Sequence, residues 1–252
     1  AGGPPAPGMP QARRERRDGV AEGGGDPRAE RGARAGAPPP IPLHPHLTAM
    51  SPHLDLTAPY APLVRRIETE ATVERGEILR IDHFLNHRIE PGFIFELAHE
   101  LARRLSFFQP NIILTAEASG IAPALIVAKT LNVPLVYAKK YSPQVEPPAI
   151  SRIIPSPTKG GETRLVLSTR YIKAGQRIVI VDDFLANGRT ATALIDMARE
   201  AGAEVLGAGF VVEKRFKEGR EHIEALGVPV STLAQVEALE GDRAILTQPR
   251  GA

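Results

Sequence analysis

Residues 178–190 read Ile178-Val179-Ile180-Val181-Asp182-Asp183-Phe184-Leu185-Ala186-Asn187-Gly188-Arg189-Thr190. Four consecutive β-branched residues predict a strand buried on both faces, here Arg177–Val181. Beyond the turn, Leu194, Ala198 and Ala201 recur at helical spacing, which predicts a helix over 190–202 with Gly202 as its stop. A strand that runs through a glycine turn into a helix opens a βαβ unit, and the turn lies where open α/β sheets bind ligands. Two adjacent carboxylates at a strand end repel unless a polyol or a cation meets them. A ribose diol, with two hydroxyls to donate, suits Asp182 and Asp183. Ala186 to Thr190 then supply a Gly and a Thr hydroxyl at a helix N-terminus, where N–H groups and the positive helix end form an anion cradle. Acidic pair plus cradle describes a ribose 5-phosphate site. The competing description is an ordinary acidic strand end with a glycine turn.

The flanking sequence repeats the same alternation. Residues 61–74 read as a helix, followed by an extended stretch around 77–84. Pro91 suits a first helical turn. Ile94, Leu97, Ala98, Leu101 and Leu105 then fall on one helical face. Residues 111–116 form an apolar strand, 121–131 a helix and 133–138 a strand. Five prolines mark 141–160 as a loop too long to be a mere connector. Strands over 163–168, 205–212 and 228–233, the last of the series, and a helix over 217–226 complete the pattern. Apolar strands alternating with amphipathic helices predict an α/β fold, its parallel sheet covered on both faces.

Outside this region the composition changes. Residues 1–49 hold 9 of the 23 Gly, 10 of the 24 Pro, and 7 Arg against 5 acids. The remainder has 24 basic and 24 acidic residues, so the net charge of +2 belongs to the extension and argues against a nucleic-acid-binding surface. The extension has too few large apolar side chains to offset the entropy of ordering. It is read as a disordered tail, or as sequence ahead of a start at Met50, with 50–252 as the folded domain. The chain has no Cys, which excludes disulfides, thiolate metal sites and Cys nucleophiles. Neither an apolar run long enough to span a bilayer nor a secretory h-region is found, so no membrane partner and a cytoplasmic location are expected.

The 181–190 stretch resembles the 5-phosphoribosyl 1-pyrophosphate (PRPP) motif of type I phosphoribosyltransferases, and within them the bacterial xanthine phosphoribosyltransferase family. Leu79-Arg80-Ile81-Asp82-His83-Phe84-Leu85-Asn86-His87 resembles that family's purine-binding segment, and Glu117-Ala118-Ser119-Gly120-Ile121-Ala122-Pro123 its pyrophosphate loop. Tyr137-Ala138-Lys139-Lys140, Ser156-Pro157-Thr158-Lys159 and Val211-Val212-Glu213-Lys214 are similar in kind and order. The resemblance implies a type I phosphoribosyltransferase fold, a parallel sheet flanked by helices with a small hood. It implies a homodimer that joins PRPP to xanthine with Mg2+ bound mainly through PRPP.

By the same resemblance, Asp182 and Asp183 meet the ribose hydroxyls, and Ala186, Asn187, Gly188, Arg189 and Thr190 bind the 5′-phosphate. Leu79 and Asn86 line the purine pocket. Ser119 and Gly120 face the pyrophosphate, with either Lys139 or Lys140 neutralising it. Lys214 faces the base, and its donor-only ammonium suits a C6 carbonyl better than an amino group. Ala186 stands where hypoxanthine-guanine enzymes carry an Asp, which favours the xanthine branch. No side-chain metal ligand is expected. His83 and His87, four residues apart, lack a third ligand nearby, and Glu100 with Arg103 and Arg104 reads as a solvated, ion-paired face. The alternatives are a guanine or hypoxanthine enzyme and a PRPP-sensing regulator. Such a regulator needs a DNA-binding domain, and residues 1–59 are too rich in Pro and Gly to supply one.

Overall fold

Successive residues of the strand Arg177–Leu185 enter two separate apolar clusters. Val179 and Val181 pack in one, Ile178 and Ile180 in the other. Side chains alternate across a strand, so a sheet buried on both faces needs this unbroken apolar run. The chain's structure is a computed structural model describing residues 2–3, 55–140, 148–155 and 161–250. Most of the 1–49 extension, much of the proline-rich 141–160 loop and Ser156-Pro157-Thr158-Lys159 lie outside the described residues.

In chain order the elements are α1 (Ala61–Glu70), β1 (Thr72–Glu74), β2 (Ile78–Arg80), α2 (Pro91–Leu105), β3 (Ile112–Ala116), α3 (Ile121–Leu131), β4 (Leu135–Lys140) and β5 (Ala149–Pro155). Then follow β6 (Glu162–Ser168), β7 (Arg177–Leu185), α4 (Arg189–Glu200), β8 (Glu204–Lys214), α5 (Gly219–Ala225), β9 (Val230–Glu240) and β10 (Arg243–Leu246). Eight strands form one sheet in the order β10-β9-β8-β7-β3-β4-β6-β5. The five central strands run parallel, while β10, β6 and β5 pair antiparallel at the edges. Helices α1, α2 and α3 contribute to the cluster on one face, α4 and α5 to that on the other.

Four expectations need correction. The helix expected over 61–74 stops at Glu70, because Thr72-Val73-Glu74 pairs with β2 across a turn whose Arg75 and Gly76 both have positive φ. That hairpin is the second, smaller sheet. The loop expected over 141–160 contains β5, whose branched residues pair with β6 and whose Pro155 is tolerated on an edge strand. The strand expected to end the sheet at 233 continues as β9 to Glu240 and turns through Gly241-Asp242 into β10. Gly241 has φ +60°, as the first residue of a II′ hairpin turn requires. Finally, Arg104 is 2% exposed rather than solvated. Its guanidinium donates to Glu100 Oε1 at 2.7 Å and to the carbonyls of Thr232 at 2.9 Å and Leu56 at 3.3 Å. It ties α2 to β9 and to the segment before α1, whereas Arg103 and its ion pair with Glu100 stay at the surface.

Candidate active site

The carboxyl ends of β3, β4 and β7 meet at a cavity of about 230 Å³. Asp182 and Asp183 line it from β7, Ser119 from the turn after β3, Lys140 from the end of β4, and 186–190 from the turn into α4. The carboxyl end of the sheet therefore gathers residues from five separate stretches of sequence, Pro155 and Phe210 among them.

The acidic pair is held in two different ways. Asp183 is buried, and its Oδ2 accepts a hydrogen bond of 2.9 Å from Asn86 Nδ2. Asp182 Oδ1 accepts from the Asp183 N–H at 2.9 Å. Burial, and next the charge of Asp183, hold the Asp182 carboxyl well above the usual carboxylate range, with Lys140 opposing. The pair is electrostatically strained and turned toward the cavity.

Gly188 caps α4 with φ +72°, a left-handed conformation that costs Gly no Cβ clash. No side chain caps this helix, and the N–H groups of its first turn have no intrahelical partner. They open on the cavity that the acids line. Arg189 is exposed, and Thr190 is half-buried at the wall.

The turn after β3 is tightly fitted. Its Glu117–Ala118 peptide is cis, and Glu117 Oε2 accepts the Lys140 N–H at 2.9 Å. A Cβ on Gly120 would overlap Asp182 Oδ1 and Thr115 Oγ1, so only Gly lets the start of α3 approach the acid pair. Gly120→Ala is accordingly expected to cost about 1–3 kcal/mol through overpacking, and to displace Asp182. Thermal melts and steady-state rates check this, with about a tenfold or greater fall in turnover expected from misplacing a group that lines the cavity.

The lysines separate. Lys140 lines the cavity, whereas Lys139 is exposed and does not. Lys214 stands half-buried at the end of β8, with Nζ 6.0 Å from the ring centroid of Phe184, itself a lining residue. Burial, and then Lys217, push its ammonium below the usual lysine range. Asn86 reaches the acid pair, but Leu79 is buried in the apolar cluster of α1 and α2 and does not line the cavity. His83 and His87 turn to different carboxylates, Glu70 at 3.3 Å and Asp82 at 3.2 Å. Sequence reasoning assigned no role to Glu117 or Phe184. An acid immediately after a strand was the available signal for the first. Nothing distinguished the second from a core aromatic.

Mg2+ fits this donor set. Asp182 and Asp183 offer oxygen ligands of the kind it prefers, and their mutual repulsion is what a cation relieves. Among the described residues no three His, Cys, Asp or Glu side chains cluster as a metal cage. Also among the described residues, no helix is long and apolar enough to cross a membrane.

Known proteins agree with this geometry. The phosphoribosyl transferase domain family matches residues 89–236. Xanthine phosphoribosyltransferase of Chloroflexus aurantiacus is 53% identical over 191 residues, covering 76% of this chain and 90% of the relative. That of Deinococcus deserti is 43% identical over 179 residues, 71% of this chain and 93% of the relative. Among solved structures, the adenine phosphoribosyltransferase of Rhodothermus marinus superposes with a TM-score of 0.57 at 25% identity, over 70% of this chain and 99% of its own. The Saccharomyces cerevisiae enzyme, solved with adenine, gives 0.58 at 24% over 69% and 99%, and supports the fold. A matched stretch that holds the acidic pair, the α4 cradle and Lys214, with relatives aligned over nearly their whole length, shows that the chain belongs to the phosphoribosyltransferase family.

Proposed function

We propose that the protein transfers the 5-phosphoribosyl group from PRPP to xanthine, giving xanthosine 5′-monophosphate and pyrophosphate in purine salvage. The observation that carries the reading is a single cavity lined by both the acidic pair and the uncapped N-terminus of α4. These are the two parts a ribose 5-phosphate needs. The choice of xanthine follows the names of the relatives.

In this reading the Asp182 and Asp183 carboxylates accept hydrogen bonds from the ribose hydroxyls, and the first turn of α4 holds the 5′-phosphate. The bond from ribose C1 to the pyrophosphate oxygen breaks, and the pyrophosphate takes the electron pair. A bond forms from C1 to a ring nitrogen of the base. Positive charge develops on the sugar and negative charge on the leaving group, so positioning and charge neutralisation do most of the work. Lys140 and the N–H groups of the Ser119–Gly120 turn face the pyrophosphate. When bound, Mg2+ would neutralise part of the charge on the PRPP oxygens. Ala186 has no proton acceptor, so the proton lost from the base passes to water or to the pyrophosphate. Lys214, a donor on the side of Phe184, reads the C6 carbonyl.

With this reading go a cytoplasmic setting, where phosphorylated sugars are retained, and a homodimer. The assay that tests it offers xanthine, guanine, hypoxanthine and adenine in parallel with PRPP. The highest kcat/KM is expected with xanthine and the lowest with adenine. Preference for guanine or hypoxanthine would move the protein to the neighbouring substrate class. No PRPP-dependent product with any of the four would overturn the reading.

A further inference from the structure

Glu213 is 1% exposed, stands next to Lys214, and has no part in the chemistry above. Neighbouring residues on a strand point to opposite faces, so the two side chains leave β8 in opposite directions. Glu213 meets Arg220 of α5 through both carboxylate oxygens, at 2.8 Å from Nε and 2.5 Å from Nη2. The Thr232 hydroxyl donates to it at 3.1 Å, and Arg215 approaches at 3.2 Å. Arg220 spends its remaining donor, Nη1, on the Val230 carbonyl at 3.2 Å and on Glu224 at 3.0 Å. A buried ion pair adds little net stability against an apolar replacement, and its usual return is geometry.

The geometry in question is that of α5. This helix has seven residues, too few to hold together without tertiary support. Its first residue, Gly219, lies against the turn that opens α4. A Cβ on Gly219 would overlap the Ala186 carbonyl oxygen and come within 2.8 Å of the Gly188 nitrogen. Reciprocally, a Cβ on Gly188 would stand 2.9 Å from the Gly219 carbonyl oxygen. A ring nitrogen of His222 lies 3.3 Å from the Asn187 carbonyl oxygen. Two glycines therefore face each other across a backbone-to-backbone contact, and the residue after one of them is the anchoring arginine.

We propose that the Glu213–Arg220 pair is a positioning device that fixes α5 so that Gly219 supports the Ala186–Gly188 turn from behind. It thereby sets the reach of the phosphate cradle relative to Lys214. The pair links the strand end that carries the base-facing lysine to the loop that grips the sugar phosphate, across both substrates. Gly219 and Arg220 are positioning residues and touch neither substrate. This inference rests on the reading of 186–190 as the 5′-phosphate loop.

The test is a pair of variants, Gly219→Ala and Arg220→Lys, measured for KM toward PRPP, KM toward xanthine, and melting temperature. A displacement of the cradle by a fraction of an ångström is expected to raise the KM for PRPP on the order of tenfold in Gly219→Ala. The KM for xanthine should stay within about twofold, since the base-facing strand end is unchanged. Arg220→Lys keeps the charge but loses the two-pronged contact. Its KM for PRPP should rise by about threefold or more, and it stands in if the glycine variant fails to fold. A purely structural role would lower the melting temperature and leave the KM for PRPP within twofold in both variants, which would overturn the proposal. Equal rises for PRPP and xanthine would overturn it as well. Thr190→Ala, within the loop itself, separates this failure from the other. If that change leaves the KM for PRPP untouched, the phosphate-loop reading falls. If it raises that KM while both α5 variants are silent, only the positioning role falls.

Discussion

Asp182→Asn is expected to reduce turnover by about a hundredfold or more and, at pH 7, to make the protein more stable. The loss follows, on the proposed ribose assignment, from removing an acceptor at the sugar, and Asp183→Asn should show a loss of the same order. The gain follows from linkage. The folded protein holds the Asp182 proton to a higher pH than the usual range, through burial and through Asp183. Unfolded, the carboxyl titrates near about 3.9. Between that value and the raised folded one, the native state binds more protons than the unfolded state. Stability therefore falls as pH rises through this window, so the penalty is larger at pH 7 than at pH 4. An Asn at 182 removes the charge and can still accept from the Asp183 N–H. Each kcal/mol recovered raises the melting temperature by about 2–4 °C. Melts at pH 7 and pH 4 read the effect, which should shrink at the lower pH. Parent-like turnover in either variant would remove the ribose assignment. An unchanged melting temperature for Asp182→Asn at pH 7 would remove the strained pair.

The elements that sequence reading placed well are those whose burial decides their period. β3 and β7 each carry an unbroken apolar run, 112–114 and 178–181, and α2 carries its stripe on one face. Periodicity could also say that a turn after β7 would face a ligand, because connectivity alone puts it at the carboxyl end of the sheet. What escaped was paired by register. β1, β5 and β10 are short or lie on edges, and each is a strand because of an antiparallel partner. The Arg75-Gly76 turn and the Gly241-Asp242 hairpin were the local signals for two of them.

The site divides in the same manner. Asp182, Asp183 and the 186–190 turn are contiguous, so local chemistry described them before any resemblance was needed. Asn86 is 97 residues from Asp183, and only the fold brings its amide to that carboxylate. The two lysines at the end of β4 were indistinguishable as sequence. Strand alternation resolves them, leaving Lys140 on the cavity and Lys139 in solvent. Arg104 reads as a surface charge because a polar helix face usually is solvated. It is buried because the carbonyl groups of Leu56 and Thr232, both remote in sequence, satisfy it.

Lys214→Ala should raise the KM for xanthine by roughly 10–150-fold, the equivalent of losing a charge-assisted hydrogen bond worth about 1.5–3 kcal/mol. The ammonium stands at the end of β8 on the side of Phe184, away from the residues assigned to the sugar phosphate. The KM for PRPP should therefore move far less. Discrimination against adenine should weaken at the same time, because its 6-amino group no longer faces a donor. A pH series adds a second reading. Burial, and then Lys217, hold this lysine below its ordinary range, so its proton is lost at a lower pH than from a free lysine. Recognition that needs the ammonium declines as pH rises through that lowered value. Replacing Lys217 with Met removes a like charge and should carry the alkaline decline to higher pH. The quantities to compare are KM for each substrate and relative kcat/KM for xanthine and adenine, in parent and variant. Equal losses for PRPP and xanthine, with adenine still rejected as strongly, would mean that Lys214 supports the strand end or the leaving group and does not read the base.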